Sequence, residues 1–295
     1  AFSIRRSRIY LTSNVSPSIR GRVMFEVKPE KTEALDAYFE FKPKIGETRP
    51  LMFKLGQFKK PFSYQEFVMS SSDLNLIERT FTHAFLENKI FASSRDQGLM
   101  VAADLWDSGL PVILSAGVFN GNGKNVKFDT NSGKQVVGRV EATPFTGVSI
   151  GANGTFNHRG YASDSTNTQD YVVWGADLVL AKSGFQIVSE VFGGDNTELL
   201  GSAESQVFPD DVPSFFAWYA EAIYRARGGW EPAVRFEIFD PDQDIDDDGR
   251  QILTGQIAYS FSPNFRWQVN VASENFEDDA LEDLTAVISQ WTIRL

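Results

Sequence analysis

The chain has no cysteine and only two histidines, His83 and His158, among 295 residues. The first absence removes disulfide frameworks and thiolate metal sites. The second leaves few partners for nucleophilic or metal chemistry. No stretch approaches the roughly 18 to 20 consecutive apolar residues that a membrane helix needs, so helical spanning is excluded. The opening AFSIRRSRIY lacks the charged start and apolar run of a secretory signal, and the chain reads as mature or trimmed. Basic charge is in deficit: 28 Lys and Arg against 39 Asp and Glu give a formal charge of -11, which argues against nucleic acid as a partner. Aromatic residues are abundant, with 25 Phe, 8 Tyr and 6 Trp, yet mean hydropathy is only -0.23. That combination fits a sheet with one apolar and one polar wall better than a soluble core.

Period-two alternation over about ten residues marks a strand with one face toward lipid and one toward water. In 18–28, Arg20, Arg22, Glu26 and Lys28 interleave with Val23, Phe25 and Val27. In 34–42, Asp36, Tyr38, Glu40 and Lys42 interleave with Leu35, Ala37, Phe39 and Phe41. The same separation recurs in 147–157 and 263–274. Fifteen such segments follow, near 2–13, 18–28, 34–43, 49–58, 96–106, 111–119, 134–144, 147–157, 169–181, 184–192, 214–226, 230–239, 250–261, 264–275 and 283–295.

Their connections alternate in length. Tight turns rich in Gly, Pro, Ser and Asn fall at 14–17, 107–110, 144–146, 182–184, 227–229 and 262–264. Between them lie longer pieces, 59–95, 120–133, 158–168, 193–213, 240–249 and 276–282. Short turns on one side and long loops on the other are the rhythm of a transmembrane antiparallel β-barrel, here all-β and a single domain over 1–295. With the turn at 14–17 on the periplasmic side, the first segment runs inward from outside. A barrel with both ends in the periplasm then requires one further strand ahead of it, making about sixteen, a width that leaves an aqueous channel.

The longest connection, 59–95, carries Phe62, Tyr64, Phe67, Phe81, Phe85 and Phe91, which need burial. It is expected to fold inward as a constriction, with Ser70 to Arg79 forming a short helix.

Several stretches resemble the phosphate-selective porins, the porin O and P family: Ile4-Arg5-Arg6-Ser7-Arg8, Leu35-Asp36-Ala37-Tyr38-Phe39-Glu40, Lys54-Leu55-Gly56-Gln57-Phe58-Lys59-Lys60-Pro61-Phe62, Ser70-Ser71-Ser72 with Ile77-Glu78-Arg79, Arg95-Asp96-Gln97-Gly98, and Ala116-Gly117-Val118-Phe119-Asn120-Gly121-Asn122-Gly123. The resemblance spans the whole layout and is specific over about residues 2 to 123. It implies a sixteen-stranded homotrimer in a bacterial outer membrane, among lipid and lipopolysaccharide, with a narrow basic pore for small anionic solutes such as phosphate. By position, Arg5 and Arg6 match the family's anion-contacting arginines on the first strand, Asp36 its lumen aspartate, and Ser70 and Arg79 its constriction-loop serine and arginine. Phosphate-specific members carry lysines where this chain has Phe67 and Ser72.

For Arg5, Arg6, Arg20 and Arg22 two readings stand: a basic ladder along a pore wall, or charges neutralised by Glu26, Asp36 and Glu40. Further acids, Asp177, Glu190, Glu221 and Glu237, face Arg139, Arg235 and Arg266 and make the wall mixed. The run 240–249 opens like a calcium loop at Asp244, Asp246, Asp248 and Gly249, but Gly255 stands where a bidentate Glu is required, so it is no EF-hand; it reads first as a solvated outer loop and second as a divalent-cation site lying against lipopolysaccharide. Asp210, Asp211 and Asp279 fall on outer loops as well. No cofactor or metal is implied. An outer-membrane barrel enzyme is the competing class, and neither His83 nor His158 has a nucleophile motif beside it. A carbohydrate-binding β-protein would need Trp174, Phe216, Trp218, Trp230 and Trp267 buried or in a groove instead of in two belts facing lipid. The expected pore therefore has its diameter set by loop 59–95. Arg5, Arg6, Arg20, Arg22, Asp36, Lys54, Ser70, Ser71, Ser72 and Arg79 line it. The runner-up is a weakly selective general porin.

Overall fold

A computed structural model describes residues 2–48, 50–105, 110–129, 133–161, 164–197, 212–278 and 280–294, with strand side chains at 159–161 and 164–169 outside the description. The expected turn residues Asp107, Ser108 and Gly109, most of loop 193–213 with Asp210 and Asp211, and Asp279 lie outside the described residues. Fifteen strands are described: β1 (Arg8–Ser16), β2 (Ile19–Val27), β3 (Thr32–Phe41), β4 (Leu51–Lys59), β5 (Arg95–Asp104), β6 (Val112–Phe119), β7 (Gln135–Phe145), β8 (Val148–Tyr161), β9 (Asp164–Lys182), β10 (Phe185–Asp195), β11 (Ser214–Tyr224), β12 (Ala233–Asp240), β13 (Arg250–Ser262), β14 (Phe265–Phe276) and β15 (Leu284–Ile293). They form one sheet in strict sequence order, a fifteen-stranded meander. Each expected segment has its strand.

Four differences have local causes. β1 starts at Arg8, so Arg5 and Arg6 lie ahead of it and not on it. Arg8 pairs Glu26, and this register sets Arg5 opposite Pro29, which has no N–H to offer a ladder. β8 and β9 extend to Tyr161 and from Asp164, replacing most of the expected loop 158–168 with strand. The polar run there has no apolar alternation to read. β12 begins at Ala233, after Pro232, while Trp230 still bridges Tyr259. Finally, Ser70 to Arg79 is not helical. Helical turns stand outside it, at Ser63–Val68, Phe81–Phe85 and Leu86–Ile90. At 70–73 the serines bond locally, Ser70 Oγ to Ser72 Oγ at 3.0 Å and Asp73 N–H to Ser70 O at 3.0 Å, and turn chemistry prevails over helix.

By packing, the chain divides into two units, 1–62 with 86–142 and 153–172, and 63–85 with 143–152 and 173–295. In both, alternate residues place apolar side chains on an exposed face and polar ones on a buried face, the inverse of a soluble sandwich. In the second unit Leu178, Leu180, Ile187, Val234 and Leu253 are exposed, while Glu190, Glu221, Arg235, Glu237, Gln256 and Gln268 are buried. In the first unit Phe39, Leu55, Leu99, Val118 and Val136 are exposed, and Asp36, Glu40 and Arg139 buried.

Exposed and half-buried rings of the second unit gather at the short-turn ends of the strands. Phe185 stacks on Tyr224 at 4.3 Å, and Trp230, Tyr259, Phe261, Phe265 and Trp291 follow as a chain of contacts 4.7 to 5.3 Å apart. Eight residue steps along β10, Trp174 of β9 lies against Gly193, where a Cβ would come within 2.6 Å of the indole. Eight steps at ~3.4 Å, tilted ~40°, separate the two levels by roughly 20 Å, the order of a bilayer's apolar band.

Candidate functional site

The longest connection follows β4. Its central part, 63–85, packs within the second unit against the polar face of β10 to β14. Three wall glutamates hold its N–H groups. Glu190 accepts the backbone N–H of Tyr64 at 2.8 Å and of Gln65 at 3.0 Å, the Tyr219 hydroxyl at 2.6 Å and the Ser63 hydroxyl at 3.2 Å. Glu221 accepts Asn75 Nδ2 at 2.8 Å, and Glu237 accepts the Phe81 N–H at 2.7 Å.

Wall guanidinium groups hold the carbonyls. Arg235 donates to Glu78 O at 2.8 Å and Arg79 O at 3.3 Å, and Arg266 donates to Leu74 O at 2.9 Å and Asn75 O at 3.1 Å. Gln256 Nε2 adds a bond to Asn75 O at 2.6 Å. Backbone groups that a buried irregular loop would leave unmet are thus met by side chains of the wall. The apolar residues follow: Phe81 and Phe85 pack edge-on against Phe239 at 4.9 and 4.8 Å.

The tip reaches the far end of the same face. Asn75 accepts from Arg225 at 2.7 Å, next to the 227–229 turn. Arg294, at the end of β15, donates to Ser72 O and pairs with Asp73 at 2.8 Å. The segment therefore runs the length of this wall instead of crossing it at one level.

These contacts decide the state of several expected site residues. Arg79 pairs with Glu66 at 2.6 Å, so its charge is matched within the loop. Ser70 is exposed at the tip, and Ser71 and Ser72 are half-buried beside it. His83, buried, has Nε2 2.7 Å from Ser63 Oγ and 3.4 Å from Glu190 Oε1, with Nδ1 2.5 Å from Thr80 Oγ1. The grouping contains the residue types of a hydrolase triad. Ser63 is 1% exposed and Glu190 1%, and the carboxylate is occupied by loop N–H groups, so the trio bolts the loop down.

In the first unit, residues 60–62 and 86–94 are held otherwise. Lys60, 2% exposed, donates to Gln135 Oε1 at 2.8 Å and Phe91 O at 3.2 Å. Burial pushes its ammonium down to about 8, against the partial support of Asp96 and Glu87. Tyr171 donates to Ile90 O at 2.9 Å.

On the polar face of β2 to β5, Asp36 is shared by Arg95 at 2.8 Å and Arg22 at 3.7 Å, and Arg22 also covers the Tyr10 ring at 4.6 Å. Arg20, Glu40 and Lys54 stand in one cross-strand row. Neither Arg20 nor Lys54 forms an ion pair among the described residues. Lys54 Nζ instead lies 4.5 Å over the Tyr38 ring and 5.5 Å from the Phe58 ring. Phe58 meets Phe119 edge-on, and Phe119 lies over Gly98 and Gly117. A cation–π seat fixes the ammonium without neutralising it. Arg5 and Arg6 are half-buried ahead of β1. On the wall of this unit Arg20 and Lys54 share one facing carboxylate, Glu40, which leaves cations in excess in that row; the wall of the second unit spends its charges on the loop. Sequence reading missed the anchoring roles of Glu190, Glu221, Glu237 and Arg235, which the pattern shows only as polar positions.

No family model matches the sequence, and no curated protein matches it. Solved structures do. The anion-selective porin from Comamonas acidovorans superposes with a TM-score of 0.67 at 11% identity, covering 99% of this chain and 86% of that one. A loop L8 deletion form of OmpT, an outer membrane protein of Vibrio cholerae, superposes with a TM-score of 0.62 at 13% identity, covering 97% and 90%. A porin refined at 1.8 Å resolution gives 0.57 at 10% identity, covering 97% and 92%. The fold is that of the outer-membrane β-barrels.

Proposed function

We propose that the chain is an outer-membrane porin through which small hydrophilic solutes diffuse passively, with anions favoured. The observations that carry this reading are the loop 63–85 laid along a polar wall whose charges it consumes and, on the polar face of the first unit, Arg20 and Lys54 as two cations sharing the one facing carboxylate of Glu40. Solute then moves past the fixed cations of β2 and β4, two to one facing carboxylate, with Arg22 and Arg95 around Asp36 as a secondary station. Arg79, paired with Glu66, contributes less field than its position implies. Guanidinium and ammonium groups suit phosphate and carboxylate alike, so phosphate is one passenger among small anions. The exposed apolar face and the two aromatic levels support the membrane placement, and homotrimeric assembly belongs to the same reading.

Single-channel conductance with reversal potentials in a salt gradient tests it. An anion-selective sign is expected. A potential near zero would leave a weakly selective general porin, and a cation-selective sign would overturn the anionic part. Hydrolysis of an ester or peptide substrate that Ser63→Ala abolishes would favour the enzyme reading.

A further inference from the structure

At the short-turn end of the second unit, one ion pair of the loop stands apart from the buried anchors. Residues 70–73 are Ser-Ser-Ser-Asp, with no apolar side chain to bury. Met69 on one side and Leu74, Leu76 and Ile77 on the other are buried, so 70–73 form a polar arch between two fixed ends. Within the arch the bonds are local, Ser70 Oγ to Ser72 Oγ at 3.0 Å and the Asp73 N–H to Ser70 O at 3.0 Å. Arg294 ties it to the wall, donating to Ser72 O and pairing with Asp73 at 2.8 Å. The Asp73 side chain is 53% exposed and that of Arg294 41%. A pair this open to water favours the closed arrangement by no more than about fivefold.

The accessible charge at this end is otherwise of one sign. Arg225 and Arg227 at the β11–β12 turn and Lys182 at the β9–β10 turn are exposed, and none of the three forms an ion pair among the described residues. Arg225 donates instead to Gln186 Oε1 at 3.0 Å and to Asn75 Oδ1 at 2.7 Å, and its guanidinium has more N–H donors than those two bonds use. The other charged groups lie deeper and are matched. Arg266 pairs with Glu231 at 2.7 Å; Glu221, bonded to Asn75, is faced by Arg235 at 3.8 Å, which also pairs with Glu237 at 2.7 Å. Arg225 and Arg294 both act electrostatically on Arg266, which sets the two exposed guanidinium groups about one centre. Asp73 is the accessible carboxylate of this end among the described residues, and it sits on the part of the loop that nothing apolar holds.

We propose that Arg294 and Arg225 form a seat for a divalent oxyanion such as phosphate, with Asp73 as its tethered competitor. The carboxylate fills the seat while the arch is down and yields it to the free anion. Once Asp73 leaves, two exposed guanidinium groups have no carboxylate between them, a charge that a divalent oxyanion matches through forked hydrogen bonds. A carboxylate on so short a tether competes at an effective concentration in the millimolar range, so millimolar anion displaces it. Buried Leu74 limits the opening to the arch, and Asn75 onward stays bolted. None of these residues belongs to the Arg20 and Lys54 row, so the seat senses solute and does not select it. Only the consequence, a passage that widens while the anion is present, rests on the porin reading.

A nitroxide on Ser71→Cys, the chain's single cysteine in that variant, reports mobility of the arch in the detergent-folded full chain. Adding about 10 mM inorganic phosphate in its divalent form should raise the mobile fraction at least about twofold, whereas sodium chloride of equal ionic strength, which only screens, should not. Phosphate affinity, followed by broadening of its phosphorus resonance, is expected to fall about tenfold in Arg294→Gln and in Arg225→Gln. It should rise about threefold to fivefold in Asp73→Asn, where the arch is already mobile, because the competitor is gone. A purely structural pair would not make one variant bind the anion better. Equal mobility in chloride, unchanged or weaker phosphate binding in Asp73→Asn, or a full phosphate response in Arg294→Gln would overturn the proposal. None of these measurements uses conductance, so failure of the seat and failure of the porin reading are told apart.

Discussion

Glu237 of β12 accepts the N–H of Phe81 at 2.7 Å through one oxygen and Arg235 Nε at 2.7 Å through the other. Arg235 in turn donates to the carbonyls of Glu78 and Arg79. One wall pair therefore grips both polarities of the loop backbone. Glu190 repeats the arrangement at the start of the segment with four donors. The loop is held by strand side chains and hardly at all by its own secondary structure.

Replacing Glu190 with Ala strands the N–H groups of Tyr64 and Gln65 and the Tyr219 hydroxyl, at roughly 1–3 kcal/mol for each buried group left unmet. Cleavage by added protease within 63–85 is expected to rise more than tenfold while β-sheet circular dichroism is unchanged. Cleavage at the wild-type rate would show that the carboxylate is not the anchor.

The same logic ranks the cations. Lys54→Gln and Arg20→Gln should each shift the reversal potential toward cation selectivity, with the anion-to-cation permeability ratio falling about two- to fivefold. Arg79→Gln should shift it less, because its partner Glu66 already cancels the charge. A larger shift for Arg79 than for Lys54 would contradict the charge assignment.

Lys60 sets a pH dependence. Its ammonium titrates at about 8 in the folded chain against 10.5 when solvated. Below pH 8 both states hold the proton and the folded state bears the full cost of burying it; above 10.5 neither does. Between those limits the unfolded chain binds more protons, so stability rises with pH, by on the order of 3 kcal/mol in all. Urea unfolding in detergent between about pH 8 and 10.5 should show this rise, and Lys60→Met should remove that part of it. An identical slope in the variant would count against the assignment.

Gly56→Ala should be poorly tolerated. A Cβ there would lie 2.2 Å from Ala37 O and 2.8 Å from Tyr38 Cα, on a backbone at φ +129. Neither atom belongs to a flexible side chain. A loss of more than about 2 kcal/mol is expected from urea unfolding, and a loss under ~0.5 kcal/mol, the level of an ordinary surface change, would refute the close approach.

The sequence by itself determined the sheet. Alternation with period two is a local property, imposed wherever one face meets lipid and the other water, so fifteen strands and their order could be read from segments such as 18–28 and 264–275. Tight turns were legible for the same reason: Ser183-Gly184, both at positive φ, follow a Gly-containing turn signal. Loop burial was legible in its phenylalanines. Which charges remain active was not. Arg79 and Lys54 look equivalent in sequence, and only the fold brings Glu66 onto one and the Tyr38 ring under the other. Ser63 and Glu190 are 127 positions apart, and no local pattern links them. Pairing between charges depends on distance in space, and for an irregular loop that distance is set by the whole wall it lies on, which is why tertiary structure alone decided it.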